Sequence, residues 1–309
     1  MYDPSPAGGR RCRQADEGGS KHLATATKFT KGIVKLMQQL PILMGILNIT
    51  PDSFYAGSRI KNNDAVLFKA QQMIEEGADW LDVGGESTRP GALPVSEQEE
   101  LDRVIPVIEA IMARFDMSVS IDTNKAQVMK HALAAGASMI NDIWALRQPD
   151  ALSIAAQSDV PVCLMHMQGE PTTMQENPTY DEDILAVIKA FFEERIAACH
   201  QAGIARERLI LDPGIGFGKT LPQNQTILKR LSELNDFGLP ILIGVSRKTM
   251  IGQIVNKPAD ERLFGTLGAT IVAVQNGATI IRTHDIGATA DALKVMLSIG
   301  ERNQYERII

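Results

Sequence analysis

Polar side chains recur through the 309-residue sequence, each set closing a short apolar run. In order they are Asn48, Asp82 with Glu86, Asp122, Asn141 with Asp142, His166, Asp212, Ser246 with Arg247 and Lys248, and Arg282 with His284. Asp122, Asn141 and Asp212 supply acceptors and an amide, the groups that read the edge of a flat heterocycle. A carboxylate accepts two N–H donors from a guanidine-like ring edge, and asparagine both donates and accepts. Ser246, Arg247, Lys248, Arg282 and His284 gather cations suited to a phosphate. Asn48 offers a neutral, hard oxygen of the kind Mg²⁺ takes while keeping waters and phosphate oxygens. The sequence holds no carboxylate cage of the EF-hand type, so a metal is expected to arrive with its phosphate.

Plainer roles compete at each position. A strand-end Asp or Asn often caps a helix or forms a turn, and Asp122 could cap the helix after it. Lys248 could be a surface lysine, but a cation is unfavourable beside a helix N-terminus, which favours a ligand role. His166 is as well explained by packing as by binding. Trp80 and Trp144 read as packing residues, and Glu86 as a support for the loop after it.

Some familiar motifs fail. In GIGFGKT (214–220) the first glycine of a Walker phosphate loop would fall on Pro213, and Lys219 stands where a dinucleotide fingerprint needs its third glycine. Neither HExxH nor GxSxG occurs. Glycines 214, 216 and 218 leave two readings open, a backbone that approaches a ligand closely or a tight turn.

The elements that must position these groups have a clear rhythm. Eight apolar runs stand at 42–50, 79–85, 118–123, 138–143, 161–166, 208–214, 240–246 and 279–284. Several are nearly continuous in Val, Ile and Leu, as parallel strands covered on both faces require. Between them lie helical patterns. One places Val66, Ala70, Met73 and Ile74 on one side. Another begins at Ser96 with Glu99 three residues on, the spacing of a capping box. The longest carries Ile184, Val187, Ile188, Phe191 and Ile196 on its apolar face. Gly77, Gly136 and Gly277 each stand just before a strand, where a helix ends. From Pro41 to Gly300 the units average about 32 residues, one βα unit each. The expected architecture is α/β, a single (β/α)₈ TIM barrel over 29–309, with a doubly wound sheet as the alternative. In a closed barrel all eight strand ends meet on one rim, where active sites sit, and strands seven and eight often hold a phosphate.

Composition bounds the rest. Apolar residues make up 44% and charged residues 22%, ordinary for a globular protein. No apolar run approaches the ~20 residues of a membrane-spanning helix, so no membrane partner is expected. A net charge of −6 weighs against a nucleic-acid surface. Arg89, Arg247, Lys248, Arg282 and His284 are nevertheless expected to make the barrel mouth locally cationic. Cys12, Cys163 and Cys199 form no CxxC pair and suit reduced thiols in a cytoplasmic protein. Residues 1–28, rich in Gly, Pro and charge, read as a disordered extension or an expression remnant rather than a signal peptide.

ILMGILNITPDSF, LDVGGESTRPG, SIDT, INDI, DPGIGFGKT, GVSRK and RTHD stand in this order between residues 42 and 285. Together they resemble the dihydropteroate synthases of the pterin-binding barrel superfamily, over about residues 42–300. That resemblance implies a transferase of folate synthesis. It would join 6-hydroxymethyl-7,8-dihydropterin pyrophosphate to p-aminobenzoate and release pyrophosphate, with sulfonamides as competitors. Motif by motif it implies that Asp122, Asn141, Asp212, Lys248, Gly244 and Met165 hold the pterin. Asn48, Arg282 and His284 would hold the pyrophosphate, with Mg²⁺ on Asn48. Phe54, Ser87, Thr88, Arg89, Pro90, Phe217 and Ser246 would form the p-aminobenzoate pocket, with the STR segment on a mobile loop. Lys248, Asp122, Arg282 and His284 would be the catalytic set. In such enzymes the C–O bond breaks first, and the amine then attacks a pterin cation that the closed loops shield from water. The family is usually homodimeric. Two alternatives stand beside this reading, a pterin-binding barrel without synthase activity and a methyltetrahydrofolate:corrinoid methyltransferase. The latter is not expected to carry TPDSF, STRPG and SRK together. One departure is YAGS at 55–58, which sets Ala56 where such sequences often have Asp. Asp52 is therefore left out of the catalytic set.

Overall fold

A computed structural model describes residues 40–49, 59–87 and 94–299. The expected N-terminal extension, 1–28, lies outside these residues. The strands are β1 (Ile42–Asn48), β2 (Trp80–Gly84), β3 (Ser118–Asp122), β4 (Met139–Asp142), β5 (Val162–Met165), β6 (Leu209–Asp212), β7 (Leu242–Ile243) and β8 (Ile280–Thr283). The helices are α1 (Arg59–Glu75), α2 (Glu97–Arg114), α3 (Ala126–Ala134), α4 (Ala151–Ala156), α5 (Ile184–Gln201), α6 (Leu221–Lys229), α7 (Thr249–Val255), α8 (Leu263–Gln275) and α9 (Ile286–Ile299). All sheet pairings are parallel, in the order β6-β5-β4-β3-β2-β1-β8-β7. A single bridge, Leu211 to Ile241, joins the two ends, with the Leu211 N–H donating to the Pro240 carbonyl at 2.9 Å. The fold is the expected (β/α)₈ barrel, and the doubly wound alternative is set aside.

Side chains alternate between the two faces of a strand. Here one set fills the barrel: Ile42, Met44, Met139, Cys163, Ile210, Leu242 and Ile280, with Trp80 packed against them. The other set, including Leu43, Leu81, Val119, Ile140, Leu164, Leu211 and Ile281, packs outward in one core with helix residues such as Val104, Ile108 and Phe192. Counting by twos from the inner set reaches Asn48, Asp82, Asn141, Met165, Asp212 and Arg282, and on β3, where Val119 and Ile121 pack outward, Asp122 falls on the inward count. Asp142 and His166 fall on the outward count.

The helices keep to their patterns with informative shifts. Val66, Ala70 and Met73 of α1 are buried as expected. The Ser96 hydroxyl caps α2 by accepting from the Glu99 N–H at 3.2 Å, while the Glu99 carboxylate pairs with Arg103 instead of closing the box. A full capping box forms at α6, where Thr220 and Gln223 exchange side-chain and backbone bonds. The buried residues of α5 are Ile184, Leu185, Ile188, Phe192, Arg195 and Cys199. Ile184 and Ile188 are buried as expected, Phe191 and Ile196 only partly, and the stripe contains a charge.

Candidate active site

A fully buried carboxylate, a partly buried one and an arginine cross the barrel mouth. Asp82, fully buried, accepts at Oδ2 from Arg282 Nε at 2.6 Å and from Asn141 Nδ2 at 3.1 Å. Arg282 Nη2 donates to Asp122 Oδ2 at 2.7 Å. These contacts link β2, β3, β4 and β8. A Cβ at Gly84 would lie 3.3 Å from that of Asp122, so the small residue leaves room for the carboxylate. Burial pushes the Asp122 carboxyl up to about 7; Arg282 opposes this, and Asp82, Glu100 and Asp142 reinforce it. Burial works against the Arg282 charge, but Asp82 and Asp122 outweigh it and raise its pKa. Asp82 Oδ1 and the hydroxyl of its register partner Ser120 are buried and have no hydrogen-bond partner among the described residues.

The loop after β6 forms the next wall. Asp212 Oδ1 accepts from the Gly214 N–H at 2.7 Å, and burial raises this carboxyl against the pull of Lys248. Lys219 is 2% exposed, and its ammonium donates to the carbonyls of His166 (3.1 Å), Gly214 (2.9 Å) and Phe217 (2.9 Å). Burial lowers its pKa to about 7. Asn224 accepts from the Gly216 N–H and donates to the Lys219 and Thr220 carbonyls. Gln175 and Tyr180 donate to the Gly216 and Gly218 carbonyls. Both readings of the glycines meet here. Gly214 and Gly218 have positive φ, and a Cβ on either would collide with the carbonyl of His166 or Gln168. The same turn reaches the site, because Lys248 donates to the Ile215 carbonyl and its ammonium lies 4.5 Å from the centre of the Phe217 ring. Burial brings Lys248 down to about 8.

The turn after β7 is strained and tightly held. Arg247 has φ +56, a left-handed conformation that non-glycine residues rarely adopt. Its N–H donates to Thr266 at 3.0 Å, its carbonyl accepts from Arg262 at 3.0 Å, and its guanidinium pairs with Asp285. Ser246 and Lys248 are thereby turned inward on either side of it. The Ser246 hydroxyl lies 2.9 Å from His284 Nδ1 and accepts from the His284 N–H at 3.1 Å. Burial, aided by Arg282, lowers the His284 pKa to about 4, so the ring is neutral at pH 7. The expected cationic mouth needs correction. Among the described residues Arg247 is paired with Asp285, Arg282 lies between two carboxylates and His284 is uncharged. Lys248 and the buried Lys219 act on Asp212 without forming an ion pair.

The chain that carries this arrangement is similar to known proteins over most of its length. Residues 44–284 match the family of pterin binding enzymes. The dihydropteroate synthase of Escherichia coli (strain K12) is 52% identical over 269 residues, covering 86% of this chain and 95% of that protein. The chain belongs to the dihydropteroate synthase family. Among solved structures, a Yersinia pestis dihydropteroate synthase in a sulfonamide drug complex is similar at 50% identity and a TM-score of 0.80, covering 84% of this chain and 94% of that one. A Xanthomonas albilineans dihydropteroate synthase with 4-aminobenzoic acid gives 46% identity and a TM-score of 0.79, covering 85% and 94%.

Within this dihydropteroate synthase fold the sequence-derived residues divide. Asp122, Asn141, Asp212, Lys248, Arg282, His284 and Ser246 gather around the mouth. Asn48 ends β1 with its side chain exposed, opposite Gly84 in register. Met165 is buried with Met167 and Met174, and Phe217 packs against this cluster. Gly244 lies against the Arg282 side chain. Phe54, Thr88, Arg89 and Pro90, and the departure at Ala56, lie outside the described residues; Ser87 ends the described part of the second loop. Glu86 does support that loop. It pairs with Lys125, which also binds the buried Glu100, and Arg103 donates to the Gly85 carbonyl at 2.6 Å. Asp122 does not cap α3, whose N-cap is Lys125. His166 packs edge-on against Phe191 at 5.0 Å, and burial holds it neutral with a pKa near 2. Asp142 accepts from the Trp144 and Leu146 N–H groups at 2.8 Å and shapes a turn that Arg195 braces from α5. Sequence reasoning missed Lys219, Asn224, Lys125, Arg195 and Thr266. For Lys219 alone there was a signal, a lysine directly after a glycine-rich turn.

Proposed function

We propose that the protein condenses 6-hydroxymethyl-7,8-dihydropterin pyrophosphate with p-aminobenzoate, giving 7,8-dihydropteroate and pyrophosphate. The observation that carries this reading is the convergence of Asp122, Asn141, Asp212 and Lys248 on one barrel mouth in a chain of this family. A pterin edge presents N–H donors suited to Asp122 and Asp212, and ring acceptors suited to Asn141 and Lys248. Gly244 and Met165 would bound the ring. Arg282, freed from one carboxylate, and His284 as a neutral hydrogen-bond donor would meet the charge that grows on departing pyrophosphate. Phe217 and Ser246 would border the p-aminobenzoate, with Ser87, Phe54, Thr88, Arg89 and Pro90 completing its pocket. Sulfonamides would compete there.

Among the described residues no cluster of three His, Cys, Asp or Glu side chains could hold a metal. The exposed Asn48 amide fits a Mg²⁺ that takes its remaining ligands from pyrophosphate and water. Bound there, the ion would neutralise charge on the leaving group. An apolar face on α7 and α8, with Ile254, Phe264 and Val272 exposed, supports a homodimer. The free, buried Cys163 and Cys199 suit the cytoplasm, and no described helix is long and apolar enough to cross a membrane.

Purified protein mixed with both substrates and Mg²⁺ is expected to form dihydropteroate. Tight pterin binding without product would instead favour the pterin-binding barrel that has lost its chemistry. Methyl transfer from methyltetrahydrofolate to a corrinoid protein would favour the methyltransferase.

A further inference from the structure

Asp82 stands one layer below the rim, on the same inward count as the residues assigned to the pterin. It touches two of the groups given roles above. One oxygen, Oδ2, takes both Arg282 Nε and Asn141 Nδ2. Arg282 is thus held by two carboxylates of different character. Asp82 is fully buried and fixed in the barrel, whereas the Asp122 side chain is 12% exposed and faces the mouth. Nε–H and Nη2–H are separate donors, here on two different carboxylates, so the Nε contact can persist while Nη2 leaves its partner.

We infer that Asp82 is a positioning residue that anchors Arg282 through Nε, so that a pterin can displace Arg282 Nη2 from Asp122 and turn it toward the pyrophosphate. The inference rests on the assignment of Asp122 to the pterin. It makes recognition of the ring and delivery of a cation to the leaving group one exchange of hydrogen bonds. The pterin N–H donors replace Nη2 on Asp122, and Nη2 is released toward an anion. Asp82 keeps the guanidinium from following Asp122 and keeps the Asn141 amide oriented. Without the Asp82 charge, Arg282 would have one carboxylate left and would close on it, and the pterin would have to break a full ion pair.

The charged groups that act on Asp122 include Arg282, Asp82, Glu100 and Asp142, and Lys248 across the mouth. Removing the Asp82 charge takes away a group that raises the Asp122 pKa and draws Arg282 closer, and both changes lower it. Asp82→Asn is therefore expected to do two things in calorimetric titration with 6-hydroxymethyl-7,8-dihydropterin. Affinity at pH 8 should fall tenfold or more, and the acid limb of binding should move down by at least half a pH unit. A merely structural defect would not move that limb. Affinity within twofold of the parent, or an unmoved limb, would overturn the inference. If D82N does not fold, a crystal structure of the unmodified protein with the same pterin decides. Arg282 Nε should remain on Asp82 with Nη2 beyond hydrogen-bond distance of Asp122; Nη2 still on Asp122 would overturn it. Asp122→Ala separates the two layers. If D122A binds pterin normally, the assignment of Asp122 fails and the inference with it. If D122A loses binding while D82N does not, the inference alone fails.

Discussion

Lys219→Met tests whether the buried ammonium is the pin of the β6 loop. Methionine nearly matches lysine in length, so little cavity opens and the change is mainly electrostatic. Three carbonyls, of His166, Gly214 and Phe217, lose a donor at 2.9–3.1 Å. Hydrogen bonds to a charged group contribute roughly 1.5–3 kcal/mol each. The desolvation of a buried ammonium opposes them by several kcal/mol. A net loss of about 2–4 kcal/mol follows, which for a barrel of this size lowers Tm by roughly 4–16 °C. The pH dependence has a definite sign. Burial lowers the Lys219 pKa from 10.5 to about 7. Between those values the unfolded chain binds the extra proton, so this group adds stability as pH rises, by at most ~1.4 kcal/mol per unit. The deficit of K219M, read from paired urea titrations, should therefore be larger at pH 9 than at pH 6.5. A deficit below about 1 kcal/mol at both pH values, or one that shrinks as pH rises, would refute the reasoning.

Other outcomes follow from the site and the surface. Lys248→Ala should lower kcat/KM for the pterin pyrophosphate by roughly ten- to a hundredfold, as loss of one charged hydrogen bond implies, with circular dichroism unchanged; near-parental condensation would remove Lys248 from the site. The free-enzyme profile of kcat/KM against pH should be a narrow bell. It rises as Asp122 ionises near pH 7 and falls as Lys248 loses its proton near pH 8. A flat profile from pH 6 to 9 would contradict both assignments. Phe264→Glu places a charge on a side chain 79% exposed on α8. Sedimentation should then show monomer where the parent is dimeric, and an unchanged dimer would locate the interface elsewhere.

The architecture could be read because it is written locally. A parallel strand in a barrel needs a short, continuous apolar run, and eight such runs at even spacing leave few folds to choose from. Counting by twos along each run even separates Asp122 and Asn141, which face inward, from Asp142 and His166, which do not. What the sequence did not disclose is pairing across distance and the effect of burial on charge. Arg282 and Asp82 are 200 residues apart, and nothing near either says that they meet. The cationic mouth was inferred by adding formal charges, but Asp285 neutralises Arg247 and a dry setting discharges His284. Arg195 escaped notice because a charge in an apolar stripe looks like a boundary of the stripe. It is in fact a brace for the turn at Ala145–Leu146, to whose carbonyls it donates.

The barrel has a seam. β5 and β6 pair at four positions and β1 and β2 at five, but β6 meets β7 at one bridge. Asp212 stands on one side of that gap and Lys248 on the other, with the Lys248–Ile215 bond lying across it. A flat ring gripped by both would act as a rivet through the weakest joint of the cylinder. Occupancy should then slow amide exchange at Leu211 and Leu242 more than on the strands far from the joint.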